Sequence, residues 1–318
     1  MNEFRFREAE RRLWDSVGVT PTERRVYLER RKISVRVQEV GEGPTVLLVH
    51  GASNGGSSWA SLVSRLGCFH CIMLDRPGCG VSEPISEAFG DLAGVEEYAD
   101  TMIPDVLDAL GLDRAHVVAT SFGGYFALRG AAAHPDRFDR IVEFGWTIGA
   151  PMAKVPFTMR IATVPGVGWI MARVPPNERA VRMILRQIGL GAALESGRFT
   201  QESIDWFLAL LRDTPTLRNE RKVTPRVILP VHGINERVLL SANLLAGIHA
   251  PTQFIWGEED PNGGAEIARQ FVGLLPNADL ELMPGVGHAP WMDDPDHCAS
   301  TTSSFLNAST LRNSPGRG

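Results

Sequence analysis

An apolar run that breaks at a serine and resumes as a helix constrains the fold of this chain more than any other stretch. Residues 115–120 predict a short buried strand, Ser121 follows it, and residues 122–133 predict a helix rich in small residues. Ala119 and Gly123 flank the serine, two positions before and two after it. Larger side chains there would collide if the strand turned sharply into the helix. The pattern predicts a strained turn that holds the Ser121 hydroxyl clear of a sheet, near the positive end of a helix dipole.

Two later loops carry the residue types that could activate this serine. A serine hydroxyl is a weak nucleophile near neutral pH, so it needs a base, and the base needs an acid that orients it. Asp260 lies in the loop after the predicted strand 252–257, and His288 lies in the loop after the predicted strand 278–283. Both loops leave carboxyl ends of strands, the edge where parallel sheets collect catalytic groups. We expect His288 to take the proton from Ser121 and Asp260 to orient the imidazole.

Each of these residues also has a plainer interpretation. Ser121 could simply cap the helix that follows it, and Asp260 and His288 could be ordinary loop residues. Glu259 is the second candidate for the orienting acid. Asp293, five residues after His288, is expected to hold that loop in place rather than to take part in catalysis.

A nucleophilic serine also needs an oxyanion hole, which consists of two backbone N–H groups aimed at the charge that develops on the carbonyl oxygen. The N–H of Phe122, directly after the serine, is the first predicted donor. The second is expected from the loop after the predicted strand 45–50, where Gly51 is followed by Ala52. We assign the second N–H to Ala52. His50 is predicted to brace this loop rather than to act as a catalyst.

Taken together, the motifs resemble those of the α/β-hydrolase superfamily, and in particular its capped members with a serine nucleophile. They are His50-Gly51, the turn Asp75-Arg-Pro-Gly-Cys-Gly-Val-Ser82, the serine turn, Trp256-Gly-Glu-Glu-Asp260, and residues 287–295. Alanine at position 119 replaces the usual first glycine of the serine motif, which is the smallest possible departure. The resemblance implies an α/β fold, with a mostly parallel sheet flanked by helices, a helical cap insertion and a catalytic triad. It implies no cofactor and no metal.

The stretch from residue 150 to residue 247 interrupts the alternation of strands and helices, at the place where members of that superfamily insert a cap. We expect residues 1–149 and 248–318 to form the hydrolase core and residues 150–247 to form the cap. Such a cap would exclude water and shape a pocket. The pocket candidates are Ser53, Trp146, Trp169, Trp206 and Trp291. Residues 150–226 carry 12 Lys and Arg against 6 Asp and Glu, which indicates either a solvated face or a lining that attracts an anionic substrate.

Two helices outside the cap are also predicted. Residues 4–16 predict an amphipathic helix that lies across the core or the entrance to the site. Residues 95–110 predict a helix in which Pro104 should cause a kink or a break.

Composition narrows the class of protein. No apolar run is long enough to span a membrane, and the charged first residues do not resemble a signal peptide. Four cysteines suit a reducing compartment. Cys68 and Cys71 are spaced like a metal or redox motif, but a predicted strand would turn them to opposite faces. We expect a cytoplasmic protein with a small-molecule substrate and with no nucleic acid or membrane as partner; its oligomeric state is left open.

Hydrolysis of a small-molecule ester, thioester or lactone through an acyl-enzyme is the chemistry that the motifs favour. Superfamily members that cleave haloalkanes or epoxides use aspartate at the nucleophile position, where this chain has Ser121. The sequence Ser-Phe-Gly-Gly also occurs in members that hydrolyse C–C bonds of diketone-like compounds. Their first oxyanion loop typically contains Gly-Pro-Gly, whereas residues 52–55 are Ala-Ser-Asn-Gly. A C–C hydrolase and a slow-turnover small-molecule receptor remain as alternatives.

Overall fold

The computed structural model describes residues 1–85, 91–153, 164, 166, 175–221, 223–229 and 233–308. Its strands are β1 Thr22–Leu28, β2 Ile33–Val40, β3 Thr45–Val49, β4 His70–Leu74, β5 Ala115–Ser121, β6 Phe138–Thr147, β7 Ile228–Leu229, β8 Gly233–Ile234, β9 Thr252–Gly257 and β10 Ala278–Met283. Eight of them form one sheet in the order β1-β2-β4-β3-β5-β6-β9-β10, and β7 pairs with β8. In the main sheet β2 runs antiparallel to both of its neighbours, and the strands from β4 to β10 are parallel.

Helices cover both faces of this sheet. They are α1 Glu3–Ser16, α2 Ala60–Val63, α3 Leu92–Leu110, α4 Phe122–Ala133, α5 Glu178–Gln187, α6 Gly191–Glu195, α7 Gln201–Asp213, α8 Thr216–Glu220, α9 Thr224–Val227, α10 Ala242–Ala246, α11 Ala265–Val272, α12 Pro290–Asp293 and α13 Pro295–Asn307. Single 3₁₀ turns span Gly56–Trp59, Pro135–Arg137 and Glu236–Val238. The predicted class, a mostly parallel sheet flanked by helices, is confirmed.

The central strands are apolar throughout because both of their faces are buried. In β3, Leu47 and Val49 pack with α3 and α4 on one face, while Val46 and Leu48 pack with α1 and α2 on the other. The edge strand β1 differs, since its first four residues are exposed and three of them are charged. Charged side chains on an edge strand oppose pairing with another chain.

Helix α3 runs without a break through Pro104. The sequence predicted a kink or a break there, and the break is wrong. Packing explains the continuity: Ile103 and Val106, on either side of the proline, are fully buried against the sheet, and this tertiary burial outweighs the lost backbone hydrogen bond. At the start of the helix, the side chain of Asp91 accepts the Gly94 N–H and so caps it. The helix ends before Gly111, and this glycine adopts a left-handed conformation.

Helix α1 packs against α7 and joins it to the core. The Asn2 N–H donates to the Asp213 carbonyl at the end of α7 (3.0 Å). Glu10 forms a buried bidentate pair with Arg36 of β2, with both N–O distances at 2.7 Å. The predicted amphipathic helix therefore lies between the sheet and helix α7.

The proposed cap is described only in part, as helices α5 to α9 and the segment after them. Its predicted boundaries at residues 150 and 247 stay a prediction. Across the described ranges, every helix is too short or too polar to cross a bilayer. Cys68 is exposed before β4 and Cys71 is buried within it. In those same ranges, no group of three or more His, Cys, Asp or Glu side chains could hold a metal ion.

Candidate active site

Ser121 lies at a strained turn between β5 and α4. Its backbone has φ 55° and ψ −116°, in the region that non-glycine residues rarely adopt. The small neighbours are needed, because a Cβ at Gly123 would overlap the Val49 carbonyl oxygen, and Ala119 is fully buried. Such a conformation costs about 1–3 kcal/mol and persists only where packing on both sides imposes it.

Asp260 and His288 form a buried hydrogen-bonded pair. Nδ1 of His288 lies 2.7 Å from Oδ2 of Asp260. The Asp260 carboxylate also accepts the backbone N–H of Trp146 (2.8 Å) and that of Asn262 (2.9 Å), so its orientation is fixed from three sides. Glu259, the second candidate acid, is exposed. The structure thus brings together Asp260 and His288, not Glu259 and His288.

Strand β6 connects this pair with the serine turn. Thr147 pairs with Ser121 just after a shift in the strand register, and its hydroxyl donates to the Ser121 carbonyl (3.0 Å). Two residues earlier, Gly145 lies against the His288 backbone, where a Cβ would overlap the His288 carbonyl oxygen. Within the described residues, the Ser121 hydroxyl makes no hydrogen bond to the imidazole. Such catalytic bonds are often long without substrate and shorten when substrate binds.

The predicted oxyanion loop lies directly on the serine. A Cβ at Gly51 would be 2.9 Å from Cβ of Ser121 and 3.5 Å from its Oγ. The N–H of Ala52, the next residue, meets no acceptor in the described part of the chain. Phe122 is the first residue of α4, so its N–H has no intrahelical partner. Both assigned donors are therefore available to an oxyanion.

His50 is neutral and braces the loop. Its Nδ1 donates to the Gly51 carbonyl (2.8 Å), and its Nε2 accepts the Arg76 backbone N–H (3.1 Å). Burial lowers the pKa of His50 well below its ordinary value, and the Arg76 charge lowers it further. A neutral, fully engaged imidazole of this kind is a structural group.

The chain segment after α5 holds the His288 loop, a contact that sequence reasoning missed. The His288 N–H donates to the Ile188 carbonyl (2.9 Å). Beside this bond two glycines pack face to face, and a Cβ on Gly287 would lie 2.6 Å from Cα of Gly189. Gly189, with φ 88°, was visible in the sequence as a helix end, but nothing local indicated its partner.

The five pocket candidates lie in different surroundings. Ser53 (φ 51°) is half-buried in the oxyanion loop. Trp146 is buried with its ring centroid 6.4 Å from that of His288. Trp206, on α7, lies over the same loop, since a Cβ at Gly55 would be 3.5 Å from its ring.

Of the other two tryptophan candidates, one is enclosed by aromatic side chains and one lies outside the described residues. Trp291 is enclosed in an aromatic cluster, 4.5 Å from Trp59 between ring centroids, and its indole N–H donates to the Ser58 carbonyl. Trp169 lies outside the described residues.

Asp293, five residues after His288, is buried, and burial raises its pKa to about 6.

A fully buried glutamate, which the sequence analysis did not single out, lies beneath the serine turn. Glu143 of β6 pairs in register with Ala119, and its carboxyl lies against Gly124, where a Cβ would overlap it. Neither carboxyl oxygen has a hydrogen bond of normal geometry within the described residues. Burial raises the pKa of Glu143 well above its ordinary value, and the Ser121 backbone N–H offsets this only in part. The site therefore favours the neutral acid.

Comparison with known proteins identifies the family to which this fold belongs. The model of the alpha/beta hydrolase family matches residues 46–300, which is most of the chain. The chain belongs to the α/β-hydrolase family. This α/β hydrolase is similar to a 2-hydroxy-6-oxononadienedioate/2-hydroxy-6-oxononatrienedioate hydrolase of Paraburkholderia phymatum, with 28% identity over 82% of this chain and 86% of the relative.

Solved structures show the same fold. The 2-hydroxy-6-oxo-6-phenylhexa-2,4-dienoate hydrolase of Rhodococcus sp. strain RHA1 superimposes with a TM-score of 0.74 at 19% identity, over 91% of this α/β hydrolase and 100% of that chain. Carboxylesterase CesB of Bacillus subtilis superimposes with a TM-score of 0.72 at 19% identity, over 96% and 99%. At such identities the likeness concerns the fold alone.

Proposed function

We propose that this α/β hydrolase is a serine hydrolase with Ser121, His288 and Asp260 as its catalytic triad. The observation that carries the proposal is the buried 2.7 Å contact between His288 and Asp260, on the loops next to the strained turn that presents Ser121. The N–H groups of Ala52 and Phe122 complete the site as the oxyanion hole. The nucleophile, the base, the acid that orients the base and the oxyanion donors act as one unit, so all of them must lie close together.

The reaction follows from these roles. Oγ of Ser121 bonds to the substrate carbonyl carbon while His288 takes its proton, and the carbonyl electron pair becomes an oxyanion. When the oxyanion collapses, the bond to the leaving group breaks and His288 returns the proton to that group. Water then repeats the sequence on the acyl-enzyme and releases a carboxylic acid.

An ester, thioester or lactone is the substrate class that we propose first. Such bonds have an oxygen or sulfur leaving group that can accept the proton from His288 as it departs, so this site needs nothing beyond the groups already named. The fold likeness to a carboxylesterase is compatible with this class but does not select it.

C–C bond hydrolysis is the second candidate, and the names of the relatives favour it. The compound named for the Paraburkholderia phymatum relative holds ketone, hydroxyl and carboxylate groups but no ester, so a hydrolase that acts on it breaks a C–C bond. In such a reaction the carbon fragment must accept a proton as it leaves. A small-molecule receptor with slow turnover is a third possibility, which kinetics would separate.

We also propose that residues 150–247 cover the site. Three contacts support a cover: Ile188 accepts from the His288 N–H, Trp206 lies over the oxyanion loop, and Glu220 forms an ion pair with Arg76. A cover at these points would exclude water from the triad and make activity depend on acyl chain or leaving group. The excess of Lys and Arg in residues 150–226 would favour an anionic substrate.

Steady-state kinetics with two substrate classes test the assignment. Wild type and Ser121→Ala are assayed with p-nitrophenyl esters of increasing chain length and with 2-hydroxy-6-oxononadienedioate. Multiple turnovers of the esters that Ser121→Ala abolishes support the first candidate, and turnover of the dienedioate with far higher kcat/KM supports the second. Activity that survives in folded Ser121→Ala contradicts the triad, and binding without turnover supports a receptor.

A further inference from the structure

Arg76 is a buried arginine that donates to two successive backbone carbonyls of the oxyanion loop. Its Nε lies 3.0 Å from the His50 carbonyl oxygen, and its Nη2 lies 2.9 Å from that of Gly51. The side chain is only 2% exposed. None of these contacts belongs to the triad, so the proposed catalytic roles leave a costly buried cation unexplained.

The Gly51 carbonyl and the Ala52 N–H belong to the same peptide group. That carbonyl accepts two hydrogen bonds, from Nη2 of Arg76 and from Nδ1 of His50. A cationic donor on the oxygen polarises the peptide, which makes the N–H on its other side a stronger donor. The two bonds also fix the plane of the peptide, so the N–H keeps its direction during the reaction.

The same guanidinium packs against Phe122, whose N–H is the other proposed oxyanion donor. Its carbon lies 5.0 Å from the centroid of the Phe122 ring and 5.5 Å from that of Phe126. These distances are within the range of cation–π attraction. Arg76 therefore contacts both sides of the proposed oxyanion hole.

Helix α8 holds the guanidinium in this position. Oε1 of Glu220, at the end of α8, lies 2.8 Å from Nη2 of Arg76. Burial alone would lower the pKa of Arg76, but the Glu220 carboxylate raises it, so the side chain stays a cation. Thr216, at the other end of α8, accepts the Gly80 N–H (2.9 Å) and fixes the helix on the same turn.

We propose that Arg76 is a positioning residue of the oxyanion hole: it orients and polarises the Gly51–Ala52 peptide, and Glu220 of α8 holds it in place. The inference rests on the proposed function, because it takes the Ala52 N–H as the donor that meets the oxyanion. If Arg76 has this role, catalysis requires helix α8 to be packed against the turn that carries Arg76, because without α8 the guanidinium would lose its counter-charge, Glu220.

The test compares Arg76→Met with wild type and with Arg129→Met. Arg129 is a matched control on α4: it pairs with Asp100 and lies 5.7 Å from the Tyr125 ring centroid, but it makes no contact with the oxyanion loop. Each protein is assayed with p-nitrophenyl octanoate. Binding is measured for an octylthio trifluoropropanone, whose ketone carbon bonds to the serine oxygen while its carbonyl oxygen becomes an oxyanion, and for octanoate, which forms no such bond.

For Arg76→Met we expect kcat to fall about tenfold or more, with KM changed by less than about threefold. The Ki of the trifluoromethyl ketone should rise by the same factor by which kcat/KM falls, while the Ki of octanoate stays constant. Arg76→Lys, which keeps the charge, should recover part of the loss. A purely structural role would lower the folded fraction but leave the ratio of the two Ki values unchanged.

Folded Arg76→Met with the wild-type kcat and Ki ratio would overturn the proposal, as would a rise in KM alone. If that variant does not fold because Glu220 is left without a counter-charge, Arg76→Met/Glu220→Gln removes both charges and is judged by the same ratio. Failure of the proposed function looks different. In that case wild type itself shows no Ser121-dependent turnover and no ketone binding.

Discussion

Replacing Glu143 with glutamine tests whether a neutral carboxylic acid lies beneath the nucleophile turn. Burial raises the pKa of this carboxyl in the folded protein, whereas in the unfolded chain it returns to about 4.5. The folded protein therefore keeps a proton that the unfolded chain releases. Its free energy of unfolding must then fall as pH rises above about 4.5, until the raised native pKa is reached.

The size of the effect follows from proton linkage. Each pH unit inside this window changes the free energy of unfolding by about 1.4 kcal/mol for one proton. Glutamine has nearly the shape of the neutral acid and does not titrate, so Glu143→Gln removes this decline. Inside this window the variant should gain about 1.4 kcal/mol relative to wild type for each unit by which the pH rises.

Urea unfolding followed by tryptophan fluorescence at several pH values measures the difference. Glu29→Gln, which makes the same substitution at an exposed glutamate, serves as the control. The amide of Glu143→Gln lacks partners, so a constant penalty is expected in addition to the slope. A difference between Glu143→Gln and wild type that does not change with pH would refute the neutral acid.

The remaining predictions concern the triad and its turn. Ser121→Ala and His288→Ala should each keep the fold and lower kcat by about 10³-fold or more, and near-wild-type turnover in either would contradict the assignment. Asp260→Asn should cost less than His288→Ala in the same assay, because some correctly placed imidazole remains. Gly123→Ala should lower the free energy of unfolding by about 3 kcal/mol or more, since its Cβ would overlap a backbone oxygen. Gly67→Ala, where nothing lies within 4 Å of the added Cβ, should be nearly neutral in the same unfolding experiment.

Local sequence signals were enough for the fold because each strand and helix carries its own pattern. The bounds of α4, β9 and β10 agree with the predicted ranges, since α4 is a small-residue run, β9 is mostly apolar and β10 alternates apolar with charged residues. The positions of Asp260 and His288, each in a loop directly after a predicted strand, were enough to predict that the two residues lie together. The break predicted as one alternative at Pro104 did not occur, because burial of the neighbouring residues keeps the helix continuous.

What the sequence did not show are contacts between distant positions. Arg76 and Glu220 are 144 residues apart, and nothing near either residue indicates the other. The hydrogen bond from the His288 N–H to the Ile188 carbonyl likewise joins two distant parts of the chain. The burial of Glu143 could not be predicted for another reason. A single glutamate in a strand resembles a solvent-facing residue of an alternating pattern, and only the packed structure shows that this side chain is buried.

The place of helix α1 has a consequence for the order in which the protein folds. This helix is synthesised before the elements that it contacts, since it packs against Arg36 of β2 and against α7, which begins at residue 201. Contacts so far apart in the chain raise the contact order and must wait for loop closure. We therefore expect α1 to dock among the last elements, so that the face it covers stays exposed to chaperones and proteases until α7 has been made and seated.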